Sequence, residues 1–239
     1  MAGKREPANL ATTLADIARQ LLAQRSVEDT LTWILRHAVD LVDGCEAVGI
    51  AVIRGHGVHT LAATDEMVRA SDRVQDDVGE GPCFDAIRSR DVRFRVDGGG
   101  AMAERWPRYA PHAERLGIGS VLGFKLFTED ERLGALLVYS SRRGAFSAQS
   151  EHVGQLFACH AAVAFSGART AENFKAALRS HQQIGQAVGI LMERHGLSKD
   201  DAFAVLVRTS KEKNTKLREV ARHITEGGYV LSVGGNSAG

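Results

Sequence analysis

The feature that most constrains this chain is a helical pattern that begins near Ser147 and meets no strong stop before Gly196. No proline interrupts the pattern, and the breakers within it are Gly154, Gly167, Gly185 and Gly189. About fifty residues make a helix too long to lie inside one compact domain. The pattern therefore predicts a helix that leads from one structural unit into another.

Apolar side chains recur along this segment at intervals of three and four residues, as in a dimeric coiled coil. They are Leu156, Phe157, Ala161, Ala164, Ala168, Ala171, Phe174 and Leu178. The spacing predicts a continuous helix through which two copies of the chain form a homodimer. An alternative also fits the pattern: the first half packs on a sheet and the second half starts a separate bundle, with a break near Gly167.

Composition is that of an ordinary globular protein. A length of 239 residues suffices for one large domain or two of usual size, and 44% hydrophobic with 25% charged residues argue against disorder and against a fibre. The net charge of +1 gives no overall attraction to nucleic acid, so a polyanion site needs local segregation of charge. Residues 171–228 carry 10 Lys or Arg against 7 Asp or Glu, a mild excess that a solvated helix surface explains nearly as well.

Cysteine usage and the start of the chain bear on its location. Cys45, Cys83 and Cys159 lie far apart without a CxxC pair, which favours a reducing cytoplasm over a disulfide framework. The first residues lack the apolar core of a signal peptide, and no apolar run approaches the length of about 18 residues that a membrane span needs. We expect a cytoplasmic protein without a membrane partner.

Secondary-structure patterns in the first half combine helices with strands. Apolar periodicity and caps predict helices at 10–22, 26–44, 82–88 and 106–116. Runs of β-branched residues predict strands at 47–53, 58–62, 92–96, 120–127 and 133–140. The residues between the first hairpin and Gly79 form a charged segment to which no element is assigned. Antiparallel strands with interspersed helices predict an α+β domain.

Two helices follow Gly196, one capped by Ser198 and the other ending at Gly227. Together with the end of the long helix they closely resemble the ANTAR family of RNA-binding antitermination modules. The resemblance is carried by Ile184, Ala187, Gly189, Leu191, Met192, Ala202, Phe203, Leu206, Arg208, Asn214, Leu217 and Ala221. It implies an all-α three-helix bundle that acts as a dimer, binds a pair of short RNA hairpin loops in nascent transcripts, and prevents a terminator from forming.

Within this resemblance, the predicted RNA-binding residues are Ala187, Gly189, Arg208, Lys211, Lys213, Asn214, Lys216 and Arg218. The cations surround a turn at which Asn214 can cap the last helix and expose its N–H groups to phosphate. Ala187 and Gly189 carry almost no side chain, so a helix or a flipped base can approach closely. Core packing produces the same small residues, and a solvated rim explains any single cation. The group as a whole predicts an RNA-binding face.

Residues 26–165 resemble GAF domains, in particular those attached to ANTAR modules in actinobacteria. The motifs are VGEGPCFDAI at 78–87, RWPRYAPHAERLGIGSVLGFKLF at 105–127 and LGALLVYS at 133–140. The resemblance implies a sensor module with a pocket between its sheet and its helices. Ligands of such modules range from cyclic nucleotides to haem, so we assign no cofactor and leave a small-molecule ligand unidentified. The glycine-rich stretch 97–100 departs from the family pattern and suggests a mobile lid or a degenerate pocket edge.

The residues predicted to line this pocket are Cys83, Phe84, Trp106 and Tyr109. Cys83 begins a predicted helix, where the helix dipole favours a thiolate, although an ordinary buried cysteine is the simpler interpretation. The two larger aromatics fit core packing equally well. Histidines 37, 112, 152 and 160 have no partner at metal-ligand spacing, so no metal site is predicted.

Our functional hypothesis is an RNA-binding antitermination regulator under the control of a GAF-like sensor. The alternative is a ligand-sensing module that acts through protein partners without binding RNA. Catalysis has no support, because the chain contains no phosphate-binding loop, GxSxG or HExxH motif. DNA binding is not expected, because no helix carries a row of base-reading Arg, Asn and Gln.

The predicted domain boundaries follow from these assignments. They are an N-terminal helix at 1–25, the GAF-like sensor at 26–165, a coiled-coil linker helix at 166–180, the ANTAR-like module at 181–228 and a flexible tail at 229–239.

Overall fold

The computed structural model describes residues 7–227. The chain divides into two compact units between Thr170 and Ala171, a position inside the predicted linker helix. The predicted tail at 229–239 lies outside the described residues, as do residues 1–6 of the predicted N-terminal segment. Within residues 7–227, no helix has both the length and the apolar character needed to cross a bilayer.

The first unit is built on a five-stranded antiparallel sheet. Its strands are β1 (Ala47–Arg54), β2 (Gly57–Ala63), β3 (Arg93–Asp97), β4 (Ser120–Phe127) and β5 (Arg132–Ser140). They lie in the order β2-β1-β5-β4-β3, so both predicted hairpins form and meet at the central strands β1 and β5. The predicted α+β architecture is confirmed.

Nine helices are described. They are α1 (Pro7–Leu22), α2 (Val27–Leu41), α3 (Glu66–Val78), α4 (Pro82–Arg88), α5 (Gly98–Arg105), α6 (Ala110–Arg115), α7 (Ala148–His195), α8 (Lys199–Glu212) and α9 (Leu217–Thr225). Ser26 and Ser198 cap α2 and α8 by accepting the backbone N–H of the third residue on, as their sequence patterns predict.

Each face of the sheet has its own hydrophobic core. Side chains alternate along a strand, so Val48 and Ile50 point to one face while Ala47 and Ala51 point to the other. The first face packs against α1, α2 and the beginning of α7. The second packs against α3, α4, α5 and α6. The central strand β5 is therefore buried on both sides.

Helix α3 occupies the charged segment for which no element was predicted. Its ends carry standard local signals, because the Asp65 side chain accepts the N–H of Met67 and Gly79 adopts the left-handed conformation at the C-terminus. Its buried face, however, consists largely of polar side chains, which are Ser71, Asp72 and Gln75. An apolar periodicity could not reveal such a helix.

The glycine-rich stretch 97–100, expected to be a mobile lid or a degenerate pocket edge, leads into a helix. Gly98 begins α5, and Met102 anchors this helix in the second core. The helix ends at Trp106, which has φ −138° and ψ 72° and precedes Pro107. A residue before proline disfavours the helical conformation. For that reason the helix predicted at 106–116 is shorter and spans Ala110–Arg115.

Helix α7 is continuous over 48 residues, and no break occurs at Gly167. Its first part packs on the sheet, as the alternative interpretation held, through buried residues that include Phe157, Ala161 and Phe165. These side chains are buried in the core of their own chain and cannot contact a second copy. The prediction that the N-terminal part of this helix contributes to a coiled-coil seam is therefore wrong. Beyond the unit boundary, Phe174 and Leu178 are 64% and 54% exposed.

The second unit contains the end of α7 together with α8 and α9. Its core joins the three helices through nine buried side chains: Ala187, Val188, Leu191, Ala202, Val205, Leu206, Val220, Ala221 and Ile224. The predicted three-helix bundle is therefore present.

Candidate RNA-binding surface and sensor core

The turn between α8 and α9 begins with a hydrogen-bonded helix C-cap. Asn214 has φ 46°, and its N–H donates to the Lys211 carbonyl at 3.2 Å, while the Thr215 N–H donates to the Ser210 carbonyl at 3.0 Å. These two bonds form a Schellman motif with asparagine in the left-handed position. The expectation that Asn214 caps α9 is wrong, because its backbone completes α8 and the N-cap position of α9 is occupied by Lys216.

Cationic side chains surround this turn. Arg208, Lys211, Lys213, Lys216 and Arg218 are all exposed, and one carboxylate, Glu212, lies among them in the sequence. Arg208 Nε is 3.9 Å from Glu212 Oε1, in a pair more than half exposed on both sides. Exposed pairs of this kind contribute at most about 1 kcal/mol, so they do little to hold the guanidinium in place.

The N-terminus of α9 lies in the same turn. Its N-cap residue, Lys216, makes no side-chain capping hydrogen bond. The first amides of a helix point outward and carry a partial positive charge. Amide and ammonium donors therefore lie near one another in the sequence at this turn, with the carboxylate of Glu219 in the first turn of α9.

The two small residues predicted to contact RNA have different surroundings. Ala187 is completely buried in the core of the second unit, and this packing accounts for its size. Gly189 lies on the exposed side of α7, with no other group within 4 Å of the position that a Cβ would take. Of the two, Gly189 is the residue that is exposed.

The four residues predicted to line the sensor pocket are all buried on the second face of the sheet. Trp106 makes edge contacts with Phe94 and Tyr109, at ring-centre distances of 5.6 and 5.9 Å. Its indole N–H donates to Asp85 Oδ2 at 3.1 Å, and Phe84 packs in the same core. The structure thus brings Cys83, Phe84, Trp106 and Tyr109 together in one cluster.

Cys83 is not activated by its position at the start of α4. It is completely buried, and burial raises the pKa of its thiol, as does the nearby carboxylate Asp72. The expected thiolate is therefore disfavoured, because desolvation outweighs the dipole of a two-turn helix. A plain buried cysteine is the correct interpretation.

Glu80, in the Gly-Glu-Gly-Pro turn, fixes the residues that precede α6. Its carboxylate accepts the backbone N–H groups of Arg108 and Tyr109, the latter at 3.0 Å, and the guanidinium of Arg108 at 3.1 Å. Burial alone raises the pKa of Glu80, but these donors outweigh it and hold the pKa below its ordinary value. The sequence motif thus orients Tyr109 toward the core.

The second core contains a buried polar network that the sequence analysis did not predict. Ser71, Asp72 and Gln75 of α3 meet Thr60 of β2 and Tyr109 through side-chain hydrogen bonds. The caps of α3 could have indicated the helix, but nothing local indicated that its polar face is buried.

Histidines and carboxylates do not converge on a metal site within the described residues. His37 stacks on Trp33 with ring centres 3.5 Å apart, and His160 bonds the backbone carbonyl of Leu156.

Comparison with known families assigns both units. The family model of the GAF domain matches residues 24–166, more than half of the chain. The chain belongs to the GAF domain family. The family model of the ANTAR domain matches residues 172–224, so we refer to the GAF unit up to Thr170 and the ANTAR unit from Ala171. GAF domains are sensors and ANTAR domains are RNA-binding antitermination domains; neither class is catalytic.

Solved structures share the fold of the GAF unit. A GAF domain from a phosphoenolpyruvate-protein phosphotransferase of Coxiella burnetii is 18% identical with a TM-score of 0.53, over 70% of this chain and 98% of that one. A phycocyanobilin-bound GAF domain from a cyanobacterial phytochrome is 17% identical with a TM-score of 0.53, over 68% and 96%. Identities this low establish the fold alone. Comparison with curated proteins finds no match.

Proposed function

We propose that this protein is an RNA-binding antitermination regulator, in which the ANTAR unit binds paired short hairpin loops in nascent transcripts under the control of the GAF unit. The observation that carries the proposal is the cationic turn between α8 and α9, inside a segment that matches the ANTAR family. Because nascent transcripts are the proposed partner, we place its action in the cytoplasm. We assign it to the actinobacterial type on its resemblance, and we assign it no catalytic step.

The turn supplies two kinds of contact. Lys211, Lys213 and Lys216 are flexible cations suited to phosphate, which gives affinity that falls with salt. Arg208 has a planar guanidinium that can stack on a splayed-out loop base or pair with it. The backbone between them is held by the Schellman motif, so these side chains project from a preformed frame.

We also propose that the protein is a homodimer that forms through a stripe of exposed residues on α7. This stripe leaves out the buried residues that the sequence pattern placed in the coiled-coil seam. Val163, Phe174 and Leu178 are each more than half exposed, and Gly167 and Ala171 fill the stripe between them at intervals of three and four residues. Exposed apolar side chains at this spacing on a long helix are typical of a two-stranded coiled coil. The α7 residues 171–179 are exposed without exception in the single chain.

The experiment that tests RNA binding compares variants on one RNA, a synthetic tandem of two short-loop hairpins, and on its loop-scrambled form. Replacing Lys211, Lys213 and Lys216 by Ala should weaken both complexes and flatten the slope of log K against log salt by about 2. Arg208→Ala should cost about 1–3 kcal/mol and reduce discrimination between the loops.

Lys175→Ala, at an exposed lysine of α7 outside the turn, is the matched control and should bind normally. Circular dichroism confirms that helical content is unchanged in each variant. Wild-type affinity in both the Arg208 and the triple-lysine variants would place any RNA on another face, and failure of the wild-type protein to bind either RNA would favour the protein-partner alternative.

A further inference from the structure

Asp72 is a buried carboxylate without a paired cation. It is 2% exposed, and Thr60 Oγ1 donates to its Oδ2 at 2.6 Å while Gln75 Nε2 donates to its Oδ1 at 3.1 Å. No ion pair joins it to any described residue. Both partners are neutral, so an ionised Asp72 holds a negative charge that hydrogen bonds compensate only in part.

The network around this carboxylate joins α3 to the rest of the second core. Gln75 accepts the backbone N–H of Cys83 at 2.6 Å, which ties α3 to the start of α4. Ser71 Oγ lies 2.7 Å from the Tyr109 hydroxyl and 3.5 Å from the Tyr139 hydroxyl. The seating of α3 therefore depends on polar contacts with β2, β5, α4 and the residue that precedes α6.

The groups that face Asp72 offer it little positive charge. Arg69, one turn earlier on α3, is half exposed and lies 4.0 Å from Glu66. From the other elements the facing titratable groups are Cys83, Tyr109 and Tyr139, and burial raises the pKa of each, so all three stay neutral near pH 7. Thr60 of β2 does not titrate.

We propose that Asp72 makes the GAF unit a proton sensor, in which acid tightens the seating of α3 on the sheet and neutral pH loosens it. The proton comes from solvent and stays on the carboxyl group, whose O–H can then donate to the Thr60 hydroxyl. The link from protonation of Asp72 to RNA binding rests on the function proposed above. The effect of protonation on the packing of α3 is independent of that function.

The direction follows from the difference between folded and open states. Burial raises the pKa of Asp72 from an ordinary value of 3.8 to about 6. The packed state therefore binds the proton more tightly than the open state. The stabilisation of the packed state by this proton is complete below pH 3.8 and is lost as the pH rises through about 6. Between pH 5 and pH 7.5 these values give about a 10-fold increase in the equilibrium constant for opening α3.

Hydrogen exchange on the full chain tests the proposal. After correction for the pH dependence of intrinsic exchange, amides of α3 should open about 10-fold more readily at pH 7.5 than at pH 5. Asp72→Asn should remove this dependence and keep α3 closed at both values, because the amide is neutral. Asp77→Asn is the matched control at an exposed position of the same helix and should retain the wild-type dependence.

A carboxyl titration by NMR reads the same group without relying on the stability of a variant. Asp72 should titrate near pH 6, and Thr60→Val, which removes a hydrogen bond that favours the ionised form, should move the midpoint upward. A wild-type midpoint near 4, or α3 exchange with the same pH dependence in the wild type and in Asp72→Asn, overturns the proposal.

The link to output is measured with the tandem-hairpin RNA and the full chain at pH 5.5 and 7.5. RNA binding can depend on pH for reasons unrelated to Asp72, so the informative quantity is the difference between the wild type and Asp72→Asn. We expect the affinity ratio between the two pH values to differ between these proteins by several-fold. An identical ratio overturns the link to RNA, whereas absence of RNA binding in both proteins at both pH values refutes the proposed function and leaves the exchange result to decide the sensor.

Discussion

The sheet-facing part of α7 should tolerate no side chain at Gly154. A Cβ built there lies 2.4 Å from Cζ of Phe124, a completely buried ring of β4. In an ordinary helix, replacing glycine by alanine gains about 1 kcal/mol. Overpacking a close-packed core costs about 1–3 kcal/mol and sometimes more. We expect Gly154→Ala to lower the free energy of unfolding of the GAF unit by up to about 2 kcal/mol.

Gly167→Ala is the matched control on the same helix. Gly167 also lies in the proposed dimer stripe, so both substitutions are compared in the Leu178→Glu background, in which the dimer should not form. No other group of the same chain lies within 4 Å of the Gly167 Cβ position, so the helix-propensity gain of about 1 kcal/mol should appear undiminished there. The two substitutions are chemically identical, and their opposite signs isolate the contact with Phe124.

Urea denaturation followed by tryptophan fluorescence measures both variants. The two tryptophans, Trp33 and Trp106, are buried in the GAF unit, so the signal reports on that unit. An increase in the unfolding midpoint for Gly154→Ala as large as that for Gly167→Ala would refute the packing argument, because it would mean that α7 does not lie against β4 at this point.

Two further predictions concern the exposed side of α7. Leu178→Glu places a charge on the proposed dimer stripe and should convert the protein from dimer to monomer in light scattering at micromolar concentration; a monomeric wild type would contradict the dimer. A thiol reagent at pH 8 should label Cys159, which is exposed, rapidly in the native protein, and should reach buried Cys83 only on unfolding. Cys45 should behave like Cys83, because burial raises the pKa of its thiol to about 12. Equal labelling rates for all three native thiols would contradict the described core.

Local interactions made much of this protein predictable from sequence. A serine followed three residues later by aspartate marks the starts of α2 and α8, because the cap is satisfied within one turn. The two hairpins follow from short turns between β-branched runs. The cations at 208–218 lie within eleven consecutive residues, so their clustering needed no knowledge of the fold.

Contacts between distant residues were decided by the tertiary structure. The buried polar face of α3 depends on Tyr109 and Tyr139, which follow Ser71 by 38 and 68 residues. Its helical periodicity is carried by polar residues, which in isolation look like a solvent-exposed segment. The raised pKa of the Cys83 thiol likewise results from burial, which could not be predicted from its position at the start of a helix.

Helix α7 shows the same division within one element. Its length follows from the sequence, because glycine weakens a helix by only about 1 kcal/mol and no proline is present. Its continuity through Gly167 was one of two interpretations that the pattern allowed, and the structure decided between them. Which of its apolar residues face outward does not follow, because a spacing of three and four residues is the same for a helix on a sheet as for a coiled coil. Phe157, Ala161 and Phe165 are buried in the core of the GAF unit, whereas Phe174 and Leu178, which follow the unit boundary, are exposed. That boundary is set by the size of the GAF core, which exists only once the strands have assembled.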